Sequence, residues 1–352
     1  MHIPDGILSI PVLAGSWAVS ATALTWATRR SKKELDQSLV PLAGVAGAFI
    51  FAAQMIQIPI PVVAGTSGHL LGGTLLALLL GPAAAILVMA AVLTVQCLLF
   101  QDGGLLALGA NFLNMAVTGP LVGYGMYRLL RPITGRFHLV IATAVAAWTS
   151  MVAGSLLAGL EIGLSSPIHV TTAMWALGGV HAAIGLIEAT ATALICSLSF
   201  RKEAHVPLWQ SRWNQEVQTV EQALSPADGR PEPDQPPTKR GRSKTAIWMA
   251  VGGGSSLFLA LILAQFASKL PDGLEHVLES FGIRPGPPRF PAPMPDYSVP
   301  WLAGWPGKAL AALLGLIGAT LLAFALSRFV GSSQRSNESE SPGDHTNGDE
   351  ED

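Results

Sequence analysis

Apolar stretches of about 20 residues recur along this chain, divided by short joints rich in glycine, proline or charge. Each is long enough to cross a ~30 Å hydrocarbon core as a helix. Spans are predicted near 10–28, 39–60, 69–81, 82–100, 104–127, 139–160 and 168–199. The pattern then breaks. Residues 201–244 are Pro-rich and charged, ending in Lys239, Arg240, Arg242 and Lys244, and predict a cytoplasmic linker. Two further spans, near 245–268 and 306–329, flank a Pro/Gly-rich loop at 269–305, and the last residues are Ser, Asn, Asp and Glu. The expected organisation is a transmembrane module at 1–200, the linker, a two-span module at 245–330, and a disordered acidic tail at 331–352. The fold class is an all-α polytopic membrane protein, with about seven helices in the first module and two in the second.

Residues 69–100 could form one long helix or two helices broken at Gly81-Pro82. Charge placement selects the break. With it, and with the N-terminus outside, Arg29, Arg30, Lys32, Lys33, Arg128, Arg131 and Arg136 all fall on the cytoplasmic side. Lys269, Arg284, Arg289 and Lys308 are then the basic residues facing out.

Composition sharpens this. Of 352 residues, 50% are hydrophobic and 12% charged, about half the charged share of a soluble domain. A soluble enzyme and a single-anchor receptor are both excluded. Cys97 and Cys196 lie in separate apolar runs, which leaves no disulfide framework and no CxxC metal motif. The positive charges follow the first apolar stretch instead of preceding it, so no cleavable signal is expected and Met1 is expected to remain.

That expectation gives the start, MHIPDG, a possible chemistry. A free Met1 amine, the His2 backbone amide and the His2 imidazole can chelate one ion through a five- and then a six-membered ring. Such a set suits Ni²⁺ or Cu²⁺ better than Zn²⁺, Mg²⁺ or Ca²⁺. Pro4 and the Asp5-Gly6 turn would keep the ligands out of a helix and fold the terminus back. Taken alone, His2 reads first as a polar residue of a short frayed tail. A second histidine, His69 in GTSGHLLGG, opens the short third span on the same predicted face. It could fill the fourth position of a square plane, with small neighbours admitting the N-terminal backbone, or simply sit at the membrane interface with one hydrogen bond.

Longer motifs add weight. MHIPDGILS at the start, GHLLGGTLLALLLGP at 68–82, QCLLFQDGGLLALGANFLNM at 96–115 and VHAAIGLIEA at 180–189 resemble the M family of cobalt and nickel transporters. These are the substrate-capturing membrane subunits of energy-coupling-factor uptake systems. LPDGLEHVLESFG at 270–282 and PMPDYSVPWL at 293–302 resemble the outer loop of the small N component, so the whole chain resembles an M–N fusion. The resemblance implies metal ligation by Met1, His2 and His69. It also implies Ni²⁺ or Co²⁺ as transported substrate with no cofactor, and a transmembrane coupling subunit and cytoplasmic ATPases as partners.

Other polar residues in the spans carry weaker expectations. Gln54, Gln57, Gln96, Asn111 and Asn114 are costly in hydrocarbon unless turned inward, where they would bridge helices or support the ligands. His181 and Glu188 share a helix face and are expected to pair. Asp102-Gly103-Gly104 predicts an outer turn. The pairs Ala14/Ala18, Ala23/Ala27 and Gly44/Ala48 have spacing for close helix contact and, given the resemblance, are candidate docking surfaces for the coupling subunit.

No GxxxxGK[ST] occurs, so ATP hydrolysis would fall to separate chains and the protein itself is not expected to be an enzyme. The expected function is the substrate-specific component of an ATP-driven Ni²⁺/Co²⁺ uptake system, multi-pass in the cell membrane, with no nucleic-acid partner. The alternatives are a stand-alone secondary metal transporter, which would want a mid-span relay of ionisable groups, and an intramembrane metalloenzyme built on His69, His181 and Glu188. Nickel and cobalt are not separated by these residues. The outer PDGLE loop, 271–275, is expected to press on the N-terminal site and assist metal access.

Overall fold

The structure, a computed structural model, describes residues 1–35, 39–134, 137, 139–199, 240–289 and 291–338. The linker expected at 201–244 lies outside these residues up to 239, and the tail expected at 331–352 lies outside them from 339.

The first module begins with α1 (Ile10–Glu34) and α2 (Val40–Gln54). A small antiparallel hairpin follows, β1 (Ile58–Pro59) with β2 (Ser67–Gly68). Then come α3 (Gly73–Leu80) and α4 (Pro82–Val95), which continues as a π-helical turn, Gln96–Phe100. The next helix starts as α5 (Leu108–Asn111), widens into a π segment at Phe112–Thr118, and goes on as α6 (Gly119–Thr134). α7 (Ile141–Ser165) and α8 (Val170–Ser199) complete the module. The second module has α9 (Arg240–Leu261), a short α10 (Gly273–Ser280) and α11 (Trp305–Glu338). Among the described residues six helices are long and apolar enough to cross a membrane. Leu129, Trp175, Leu198, Phe258 and Leu321 are exposed on helix exteriors, a distribution that lipid satisfies and water does not.

The Gly81-Pro82 break is present. Gly81 takes φ +86°, a conformation that ends α3, and Pro82 opens α4 with the fixed φ of a first helical residue. α3 has eight residues and rises only about 12 Å, shorter than the span expected at 69–81. The loop ahead of it dips into the protein, with Thr66, Ser67 and His69 buried. Non-helical backbone at that depth is tolerated because protein surrounds it. α2 likewise stops at Gln54 instead of reaching residue 60, where the hairpin takes over.

α2 packs against α11. A Cβ on Gly47 would lie 2.9 Å from the Ala323 side chain, and one on Gly44 would lie 3.3 Å from Phe324. The Gly44/Ala48 face considered for a coupling subunit is therefore covered by the chain's own second module, whereas Ala14 and Ala18 stay exposed on α1.

The predicted outer segments gather at one end of the bundle. Gly286 N donates to Asp5 O (2.9 Å), Gly104 N to Ile3 O (2.9 Å), Met294 N to Leu99 O (3.0 Å) and Ser67 N to Pro271 O (2.9 Å). The N-terminus, the hairpin loop, the 101–107 turn and the 267–304 loop thus share a single surface.

Candidate functional site

The N-terminal hexapeptide is fixed at this end by its own polar groups. Ile3 is fully buried, and its N–H donates to Asn111 Oδ1 (2.8 Å) while its carbonyl accepts from Asn111 Nδ2 (3.1 Å). The Asp5 carboxylate accepts the N–H groups of Leu105, Leu106 and Ala107 at 3.1, 2.9 and 3.2 Å. It acts as a remote cap for the helix that follows. Close approach of the terminus depends on Gly104, where a Cβ would fall 2.3 Å from the Asp5 nitrogen. The small residues expected to admit the N-terminus, in the His69 loop, instead pack on other elements: Gly68 on Ile184, Gly72 on Ile50 and Gly73 on Pro120.

Met1, His2 and His69 come together and all three are buried. The Met1 amine lies 3.4 Å from His69 Nε2, and the two imidazole centroids are 5.4 Å apart. Adjacent donors in a nitrogen square plane at ~2.0 Å from the ion stand about 2.8 Å apart, so a shift of roughly 0.6 Å would bring this pair to coordination distance.

The hydrogen bonds assign tautomers. His69 Nδ1 is 2.9 Å from the Leu70 carbonyl, which can only accept, so Nδ1 carries the proton and Nε2 keeps its lone pair toward the amine. Two glutamines form a relay to His2. Gln54 Nε2 donates to the Leu71 carbonyl (2.8 Å), which turns Gln54 Oε1 toward Gln96 Nε2 (2.8 Å). Gln96 Oε1 is thereby left facing His2 Nε2 at 3.1 Å, so Nε2 is the donor. The other ring nitrogen, Nδ1, is the one able to close a six-membered ring with its own backbone amide, and it faces Asp102 Oδ1. A polar partner that fixes the far nitrogen of a ligating histidine is a recurrent feature of metal sites.

Carboxylates face both parts of the dipeptide. The Met1 amine donates to Asp272 Oδ2 at 2.9 Å, and His2 Nδ1 is 3.1 Å from Asp102 Oδ1. Asp102 in turn accepts from the Tyr297 hydroxyl. Burial would raise the Asp272 carboxyl, but the terminal ammonium and His69 outweigh it and hold the group well below the carboxylate range. Burial, then the ammonium and His2, pull His69 down to about 3, which keeps it neutral. His2 is also lowered, by burial against the opposing pull of Asp102. Burial and the Asp102 charge keep the Tyr297 phenol protonated, well above its usual range. Met1, His69, His181, Met151 and Asp272 line a small cavity of about 10 Å³, room for roughly one water. Among the described residues, no three His, Cys, Asp or Glu side chains gather to hold an ion. An ion here would need the amine and a backbone nitrogen as well.

The expected His181–Glu188 pair is not formed. His181 Nδ1 donates to its own helix at Leu177 O (2.9 Å), and the Glu188 carboxylate accepts from Leu71 N (2.8 Å) and Gly72 N (2.9 Å). Unsatisfied amides at the start of α3 compete better for that carboxylate than an imidazole two turns away. Glu188 therefore anchors the loop that carries His69. Of the other polar residues, Gln57 bonds Ser67 and Asn114 bonds Glu161, while His169 bonds Thr171 two residues on. The reading of residue types missed two groups. Glu161 is buried in α7 and bonds Ser16 and Asn114 at 2.7 Å each; its signal was a lone carboxylate in an apolar run. Asp272 had a local signal, D-x-x-E, realised as a capping box with Glu275. Nothing local pointed to the amine 271 residues away.

The chain is similar to known metal transport proteins. A putative fused nickel transport protein, NikMN, of Archaeoglobus fulgidus is 34% identical over 334 residues, 94% of this chain and 99% of that protein. A fused nickel transport protein, NikMN, of Rhodobacter capsulatus is 29% identical over 351 residues, covering 90% and 94%. A crystal structure of a transition metal transporter superposes with a TM-score of 0.51 at 32% identity, over 65% of this chain and all of that one. Residues 2–205 match the model of the cobalt uptake substrate-specific transmembrane region, and the chain belongs to that family, CbiM.

Proposed function

We propose that this chain is the substrate-capturing membrane component of a Ni²⁺ or Co²⁺ uptake system, with Met1, His2 and His69 as the ligands. The observation that carries the reading is the convergence of the Met1 amine and two buried imidazoles, with His69 Nε2 3.4 Å from the amine and His2 Nε2 held by Gln96. With the His2 amide these make four nitrogens, a donor set favouring late first-row ions and planar geometry. The amine and amide must lose protons to bind, so loading releases protons and strengthens with pH. The site faces outward, and residues 1–200 capture the ion while the second module, 245–330, supports the site.

The chain carries no P-loop motif. Delivery inward is driven by cytoplasmic ATPases acting through a transmembrane coupling subunit. Names among the relatives support the metal reading: the protein from Archaeoglobus fulgidus is called a nickel transport protein, and one from Moorella thermoacetica a cobalt transport protein. The test is uptake of labelled Ni²⁺ and Co²⁺ into proteoliposomes holding the chain with and without its ATPase and coupling partners. ATP-dependent uptake that His69→Ala abolishes supports the proposal. Uptake by the chain alone would make it a secondary transporter.

A further inference from the structure

The second module reaches the Met1 amine through one short segment. Residues 270–272 run parallel beside β2. Ser67 N donates to Pro271 O (2.9 Å), and the Ser67 hydroxyl donates to Leu270 O (2.8 Å). Adding an extended segment to a strand edge fixes its register through main-chain bonds. α10 then seals the contact: Leu274, Val277 and Leu278 are buried in one cluster with Ile3, Ile7 and Leu8 of the N-terminus. This placement leaves the Asp272 carboxylate with two tasks, one for each oxygen. Oδ1 accepts Leu274 N and Glu275 N, both at 2.8 Å, and so caps α10. Oδ2 accepts the Met1 amine at 2.9 Å.

We propose that Asp272 is a positioning residue for the metal site, supplied by the second module, which holds the terminal amine so that its lone pair faces His69. The proposal rests on the reading of Met1, His2 and His69 as ligands. Its chemistry is that of an outer-shell partner. An amine bound to a metal keeps two N–H bonds, and one of them stays directed at Asp272 Oδ2 while the lone pair turns to the ion. The carboxylate thus orients the donor and increases its basicity, as carboxylates do for ligating histidines. It also balances charge, because Ni²⁺ with one deprotonated amide leaves a net positive centre in a buried site, where an uncompensated charge is costly. The metal site of the first module is therefore incomplete without the second.

The two tasks can be separated in the full chain, with a free Met1 and any tag at the C-terminus. Asp272→Asn and Asp272→Ser both retain an N-cap acceptor for α10 but lose the charge facing the amine. Ni²⁺ alone is the probe, with affinity measured by calorimetry and geometry by the visible d–d band. Both variants are expected to melt below the parent, because the amine loses its buried counter-charge, but to stay folded at the assay temperature. They are expected to bind Ni²⁺ about 10–100-fold more weakly and to show a shifted band at saturation. Parent affinity and an unmoved band in both, with only Asp272→Ala defective, would reduce Asp272 to a helix cap and overturn the proposal. His69→Ala serves as the control for the site. If His69→Ala abolishes binding while Asp272→Asn does not weaken it, the positioning role alone fails. If His69→Ala binds normally, the ligand assignment beneath it fails.

Discussion

Lengthening the N-terminus by a single glycine ahead of Met1 is the sharpest perturbation this site offers. The Met1 residue is 3% exposed, and its amine is enclosed by His69 and Asp272. The adjoining cavity of about 10 Å³ has room for roughly one water. An added peptide unit and its Cα do not fit, so the terminus must leave its seat. The amine at position 1 becomes an amide nitrogen and no longer pairs with Asp272. Keeping the terminus seated without its partner costs about 3–5 kcal/mol, and the ion binds only the seated terminus. At about 1.4 kcal/mol per decade, nickel affinity is therefore expected to fall two to three orders of magnitude, before counting the lost donor. Acetylation of Met1 removes the same charge and donor with less added bulk and should act in the same direction. The assay is calorimetric Ni²⁺ titration of chains cleaved to leave either Met1 or Gly-Met1, with thermal melting to check the fold. Parent affinity in the extended or acetylated chain would refute the reasoning.

Other expectations are equally direct. His69→Ala should abolish tight Ni²⁺ and Co²⁺ binding, while His169→Ala, which removes a ring bonded to Thr171, should leave it intact; comparable losses would indicate a general stability effect. Gln96→Leu removes the acceptor for His2 Nε2 and the donor to Gln54. It should weaken Ni²⁺ binding about 10–100-fold, and parent affinity in that variant would show that the relay does not orient His2. For each proton the ion displaces, affinity should fall about tenfold with each unit by which the pH is lowered. Burial beside the terminal ammonium and His2 holds His69 at about 3, so it stays neutral at neutral pH and adds nothing to that slope. A nickel affinity independent of pH would contradict amine and amide ligation.

Much of the bundle was legible because its signals are local. Gly81-Pro82 is a break by backbone chemistry alone, and the apolar runs mark the helices. The shortness of α2 and α3 was less visible, because residues 55–72 are apolar enough to extend a span and fold back only where the hairpin and the 270–272 segment pair. Within the site, residue types suggested Met1, His2 and His69, and the resemblance tied them together. The partners of those residues were hidden by sequence distance. Asp272 meets the amine from the second module, and Glu188 serves the loop at Leu71 and Gly72 instead of His181. Helix spacing shows which residues share a face, not which face another element will cover. The π turns at Gln96–Phe100 and Phe112–Thr118, which carry Gln96 and Asn114, have no sequence signature of their own.

The central claim is that four nitrogens from Met1, His2 and His69 hold the ion. The nickel K-edge X-ray absorption spectrum of the loaded full-length chain with a free Met1 tests it most directly. The expected spectrum is a planar shell of four nitrogens near 2 Å, with the outer-shell scattering of two imidazoles. A sulfur shell from Met1 or Met151, or a six-coordinate oxygen-rich shell, would contradict it.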